Sequence, residues 1–138
     1  MDAKEYLMKI THDESVINAK KLRLEALRDI AEHVSGPVFS DMPKVKRRSD
    51  SPVAEAIIEA ATLEKEIEND ELSLNRMKVF MLELIGDIKD PNEESVIIER
   101  YFNHSSWEDI AKRLYYSVRW IYVLHGRALQ KLNAMQID

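Results

Sequence analysis

The chain contains no cysteine, which removes disulfides and thiolate metal sites and suits a reducing compartment. Glycine occurs three times and proline four times in 138 residues, a third of which are charged; this balance favours a largely helical soluble protein. No stretch approaches the roughly 18 consecutive apolar residues of a membrane span. Asp2, Lys4, Glu5 and Lys9 interrupt any apolar run at the N-terminus, so no signal peptide is expected and the cytoplasm is the expected location. A glycine-rich phosphate loop and a G-x-S-x-G nucleophile motif are also missing. The adjacent acids Glu93-Glu94 and Glu108-Asp109 fall at expected helix starts, where they complement the helix dipole rather than form a catalytic pair. His104 and His125 have no third ligand at metal-binding spacing. The expectation is a non-enzyme with no catalytic residues, cofactor or metal.

What the chain does have is an uneven distribution of charge around a net value of −5. The acidic surplus sits in residues 53–90. In contrast, residues 110–131 carry Lys112, Arg113, Arg119, Arg127 and Lys131 and no acid. A locally basic segment in an acidic protein is the electrostatic footprint expected of a nucleic-acid contact.

Apolar periodicity divides the chain. Ile10, Ile17, Leu24 and Ala31 recur every seven residues, flanked by Leu27 and Val34. They predict a long N-terminal helix, either continuous or interrupted near Thr11-His12-Asp13. Ser35-Gly36-Pro37 ends it. Residues 35–51 follow as a polar linker containing Lys44, Lys46, Arg47 and Arg48. These are expected to be solvated, with phosphate contact as the sharper alternative. Ser51-Pro52 then caps a second long helix. Its heptad series Val53, Ala60, Ile67, Leu74, Met81, Ile88 and its companion series Ala56, Leu63, Met77, Leu84 form a coiled-coil seam. Asp70 interrupts that seam; a locally solvated turn is the favoured expectation and a register-fixing role the alternative. The two stripes predict an antiparallel helical hairpin over residues 1–90 that self-associates, most simply as a dimer.

Residues 91–138 predict a compact helical unit that begins after Pro91. A helix over 91–102 precedes the turn Asn103-His104-Ser105. Ser106 caps a helix at 107–114, with Trp107 expected in packing, and Tyr115-Tyr116-Ser117 leads into a third helix capped by Ser117. This is the layout of a helix-turn-helix. In the third helix Ile121, Leu124, Ala128, Leu129 and Leu132 form the inward stripe. Val118, Arg119 and Tyr122 are left as base-reading candidates, Arg119 through a fork to guanine and Val118 against a thymine methyl. Lys112, Arg113, Ser117 and Arg127 are the expected backbone contacts. Trp120 and His125 are further candidates for contact with DNA or a partner, with helix packing the other expectation for His125.

The segment SWEDIAKRLYYSVRWIYVLHGRALQKL resembles region 4 of sigma-70-type factors. Ser106, Asp109, Ile110, Ala111, Leu114, Ser117, Ile121, Arg127, Ala128, Leu129 and Leu132 match that motif, and Trp120 departs from its usual polar residue. With its helical N-terminal hairpin, the chain as a whole is similar to the ArpU/RinA-type late transcriptional regulators of Gram-positive phages. The resemblance implies an all-α, sequence-specific binder of double-stranded DNA in a bacterial host cell, with RNA polymerase as a further partner. A small-terminase-like DNA-recognition subunit and a coiled-coil protein adaptor are the alternative expectations.

Overall fold

A computed structural model describes residues 2–34 and 51–135, and the fold is all-α. Among the described residues five α-helices follow one another: α1 (Ala3–Val34), α2 (Pro52–Gly86), α3 (Pro91–Ile97), α4 (Trp107–Leu114) and α5 (Val118–Ala134). A π-helical turn (Ile98–Phe102) continues α3. The basic linker, with Lys44, Lys46, Arg47 and Arg48, lies outside the described residues.

α1 starts on a reciprocal cap. The Asp2 carboxylate accepts the Glu5 amide at 2.8 Å, and the Asp2 amide donates to the Glu5 carboxylate at 3.4 Å. The helix runs through Thr11-His12-Asp13 without interruption, the Thr11 hydroxyl donating back to the Leu7 carbonyl rather than capping a new helix. α2 opens as its sequence requires: Ser51 Oγ accepts the Ala54 amide, and Pro52 takes the first helical position.

The chain divides into two compact units, residues 15–73 and residues 1–14 together with 74–138. Pro91 does begin a new helix, but the compact unit that contains α3–α5 also takes in the first turns of α1 and the end of α2. That partition differs from the expected boundary at residue 90.

In the unit formed by residues 15–73, Ile17 and Leu24 of α1 and Ala56, Ala60, Leu63 and Ile67 of α2 are buried. The alternation of α2 buries small and large side chains along one seam, as a coiled-coil contact requires. Ion pairs flank this seam. Lys20 bonds Asp70 at 2.5 Å and approaches Glu66 at 3.4 Å, Lys21 meets Glu71 at 2.8 Å, and Arg28 meets Glu64 at 3.3 Å. Lys20 and Lys21 meet Asp70 and Glu71, whereas Arg28, further along α1, meets the earlier Glu64, so the helices are antiparallel. These surface pairs each contribute at most about 1 kcal/mol, whereas burying a Leu or Ile contributes about 1.5–3 kcal/mol. Packing therefore holds the hairpin, and the charges set its register. Asp70 belongs to that set: it is not a solvated break in the seam but the partner of Lys20.

The second unit buries Ala3, Leu7 and Ile10 of α1, and Leu74, Met81 and Ile85 of α2 with Ile88 just beyond its end. It also buries Val96 and Ile97 of α3, Ile110 and Ala111 of α4, and Ile121, Leu124, Ala128 and Leu132 of α5. The start of α1 is tied down directly, since the Ala3 amide donates to the Asn133 side-chain oxygen at 2.7 Å. Glu93 of α3 is 3% exposed, and the Lys131 ammonium of α5 lies 2.8 Å from its Oε1. The approach is off the hydrogen-bonding direction, so the contact is ionic and that oxygen accepts no hydrogen bond.

Candidate nucleic-acid interface

Local chemistry builds the helix-turn-helix. Ser106 Oγ accepts the Asp109 amide at 3.1 Å, and Ser117 Oγ accepts the Trp120 amide at 3.1 Å. Each serine thus satisfies one orphan donor of a helix N-terminus. Between them Tyr115 takes a left-handed conformation, φ 61°, and the Tyr116 amide donates to the Ala111 carbonyl at 3.0 Å. This is the Schellman closure that reverses the chain after α4. A non-glycine residue there costs about 1 kcal/mol. Tyr115 is nevertheless 91% exposed, so packing does not repay that cost.

α4 and α5 share a small core of Val96, Ile110, Ala111, Ile121 and Leu124, against which Trp107, Leu114 and Val118 pack. Val118, expected to read bases, is partly buried at the entrance of α5, its side chain packed against the edge of this core. Arg119, Trp120, Tyr122, Val123 and Arg127 line the exposed side of α5, opposite the buried stripe.

The basic residues fall into two groups. Arg119 and Lys112 are exposed and make no hydrogen bond or ion pair among the described residues. Arg113 instead bonds Glu99 Oε1 at 2.6 Å and Ser105 Oγ at 3.0 Å. Arg113, expected at the DNA backbone, is thus an exposed cation that already has an internal carboxylate partner. Burial pulls the Glu99 carboxyl upward, but hydrogen bonds from Ser105 and Asn103 and the Arg113 charge outweigh it and hold the group below its ordinary pKa. The Arg127 guanidinium lies 5.0 Å from the centre of the Trp120 ring, and Tyr116 stands 6.5 Å from the same ring. Trp120, the departure from the sigma-type pattern, is thus an exposed stacking element between a cation and a tyrosine. Tyr116 is itself anchored, its hydroxyl accepting the Asn92 side-chain amide at 3.0 Å. Ser117 remains exposed beside its cap bond.

Tyr122 is half exposed and meets Trp107 edge to face at 5.1 Å. Trp107 fills the packing role expected of it, with the Arg100 guanidinium 4.2 Å from its ring centre and His125 5.0 Å away. His125 is not on the open face. Its Nε2 shares a 2.8 Å hydrogen bond with the Tyr101 hydroxyl, and its ring stacks on that of Tyr101. Burial, with the Lys4 and Arg100 charges, pushes its imidazole from 6.5 down to about 4. Of the two expectations for this residue, the neutral ring fits helix packing.

Sequence reasoning passed over three features. The π-helical turn places Glu99, Arg100 and Tyr101, and His104 adopts φ 58° while its Nε2 meets Glu14 Oε1 at 2.6 Å. Gly126 sits in mid-helix on the exposed face of α5, with open space where a Cβ would be. Only the glycine carried a signal in the sequence, because a glycine inside a helix costs about 1 kcal/mol and calls for a reason. Among the described residues no cluster of His, Asp or Glu could hold a metal, and no helix is long and apolar enough to cross a membrane. No protein-family model, curated protein or solved structure matches this chain.

Proposed function

We propose that the protein is a sequence-specific transcription regulator of the phage type, which reads double-stranded DNA by laying α5 in the major groove. The observation that carries this reading is the exposed, acid-free side of α5, beginning at a serine cap after a tight left-handed turn. On it Arg119 is exposed and has no partner among the described residues, near Tyr122. An arginine near the start of such a helix suits guanine O6 and N7, and Tyr122 supplies an aromatic edge with a hydroxyl. Lys112 and the Ser117 hydroxyl serve the phosphate backbone, and the Trp120–Arg127 stack offers a flat cationic surface to sugar and phosphate. Gly126 leaves room for the nucleic acid to approach the helix backbone.

The reading includes self-association. Ile58, Leu72 and Val79 fall on one heptad stripe of α2 and are exposed. Such a stripe suits a second copy, and a dimer would present two α5 helices to half-sites about one helical turn apart. RNA polymerase is the further partner that the sigma-type resemblance brings to this proposal.

Selection of genomic fragments by the purified protein, with its mass in solution measured alongside, tests the reading. A dimer that enriches a short motif upstream of a transcription unit is the expected result. A ring enriching a packaging site favours the terminase-like alternative, and no enrichment of any fragment sinks both.

A further inference from the structure

An open groove of about 610 Å³ lies within the compact unit that holds the helix-turn-helix. The first turns of α1 and the π-helical turn line it, together with His104, the start of α4 and the middle of α5. Its volume is in the range of small-molecule sites, about 300–1,000 Å³. Met8, Tyr101 and Trp107 give it apolar and aromatic surface, and Lys4 and Arg100 give it positive charge. Among the described residues no carboxylate lines it, although the chain as a whole is acidic. Neither Lys4 nor Arg100 forms an ion pair among the described residues; Arg100 donates only to the Ser105 carbonyl and rests on Trp107. Both cations act on His125, which helps to keep that ring neutral. The result is a positive potential over an aromatic wall; Glu14, the carboxylate that meets His104 at its rim, is already engaged by Lys78 and His104.

Two backbone irregularities shape the same groove. Arg100 and Tyr101 come from the π-helical turn, and His104 holds a left-handed φ. Both features concentrate at functional sites, because each is less stable than the regular alternative.

We propose that this groove binds a small aromatic monocarboxylate, with the ring against Met8, Tyr101 and Trp107 and the carboxylate at Lys4 and Arg100. A carboxylate suits the site because Arg100 offers a planar fork and Lys4 a point charge. An aromatic body suits it because Trp107 and Tyr101 present rings rather than branched aliphatic side chains. The site is independent of whether α5 reads DNA.

The experiment uses the full chain and 2-naphthoate as probe, with neutral 2-naphthamide and plain acetate as controls, followed by NMR. Saturable shifts of the Trp107 indole and His125 ring signals are expected with 2-naphthoate. At least fivefold weaker binding is expected with 2-naphthamide and with acetate. Arg100→Gln should weaken 2-naphthoate at least fivefold. Lys4→Gln, at an exposed position that does not threaten folding, should weaken it at least twofold. Bound carboxylate should also raise the His125 pKa, because an anion favours the protonated ring. The proposal is overturned if no saturable shift appears at millimolar probe, if the shifts centre on Trp120 instead, or if 2-naphthamide binds as tightly as 2-naphthoate.

Discussion

Replacing His125 by glutamine should flatten the acid side of the stability profile. In the folded protein the imidazole is buried against Tyr101 and Trp107 and faces the Lys4 and Arg100 charges, and its pKa falls from 6.5 to about 4. A group whose protonated form is disfavoured by folding binds more protons when unfolded, so stability rises with pH between the two values. The contribution is complete above about pH 6.5 and is lost progressively as pH falls toward 4. A shift of this size corresponds to about 3 kcal/mol, of which about 2 kcal/mol is expressed by pH 5. Solvent reaching the ring edge screens part of this, which leaves a loss of about 1–2 kcal/mol between pH 7.5 and 5. Glu14 and Glu99 do not confuse this window. Burial raises each carboxyl, but hydrogen bonds and nearby cations outweigh it and lower both pKa values; their contributions fade only as pH drops through and below the ordinary carboxylate range. Glutamine can keep a hydrogen bond to the Tyr101 hydroxyl and cannot titrate. Urea unfolding of both proteins from pH 5 to 7.5 should show the wild-type slope and a variant flatter by about 1–2 kcal/mol across the range. Parallel profiles would refute the neutral, packed His125.

Three further outcomes follow from the same packing. Lys131→Met leaves the buried Glu93 carboxylate without its cation; urea unfolding should show a loss of about 2 kcal/mol, less than a fully buried pair because Lys131 is half exposed, and adding Glu93→Gln should recover most of it. Gly126→Ala meets no atom within 4 Å and should raise the melting temperature through about 0.5–1 kcal/mol of helix stabilisation, while weakening DNA binding if the duplex approaches that backbone. Tyr115→Gly should also stabilise, by about 0.5–1 kcal/mol, by removing the left-handed strain; unchanged or lower stability would show that the tyrosine makes a compensating contact.

Much of the fold is legible in the sequence because the deciding chemistry is local. Ser51, Ser106 and Ser117 cap the helices that follow them, and each bond spans only three residues. The seam positions Ile17, Leu24, Ala60 and Ile67 are legible for the same reason: a seven-residue repeat fixes which side of a helix is apolar. What escapes is set by contacts distant in the chain. Ala3 and Leu7 extend the α1 stripe, but only the folded structure shows them buried in the unit that holds α3–α5. Likewise Arg113 looks like a phosphate contact until Glu99, fourteen residues earlier, is seen to hold it. For His125 the sequence leaves packing and phosphate contact both open, and only Tyr101 and Trp107 around the ring decide for packing. Periodicity identifies the exposed side of α5; it does not say which cations there are already paired.

The most direct test of the DNA-reading claim is a salt-titrated binding measurement, comparing a selected fragment with a scrambled duplex for the wild type, Arg119→Ala and Lys112→Ala. The wild type should bind the selected fragment more tightly, with log affinity falling linearly as log salt rises. Arg119→Ala should lose about 1–3 kcal/mol of the preference, and Lys112→Ala should weaken both duplexes equally and reduce the salt slope by about 1. Absence of saturable binding at low salt, or two variants indistinguishable from the wild type, would contradict the claim.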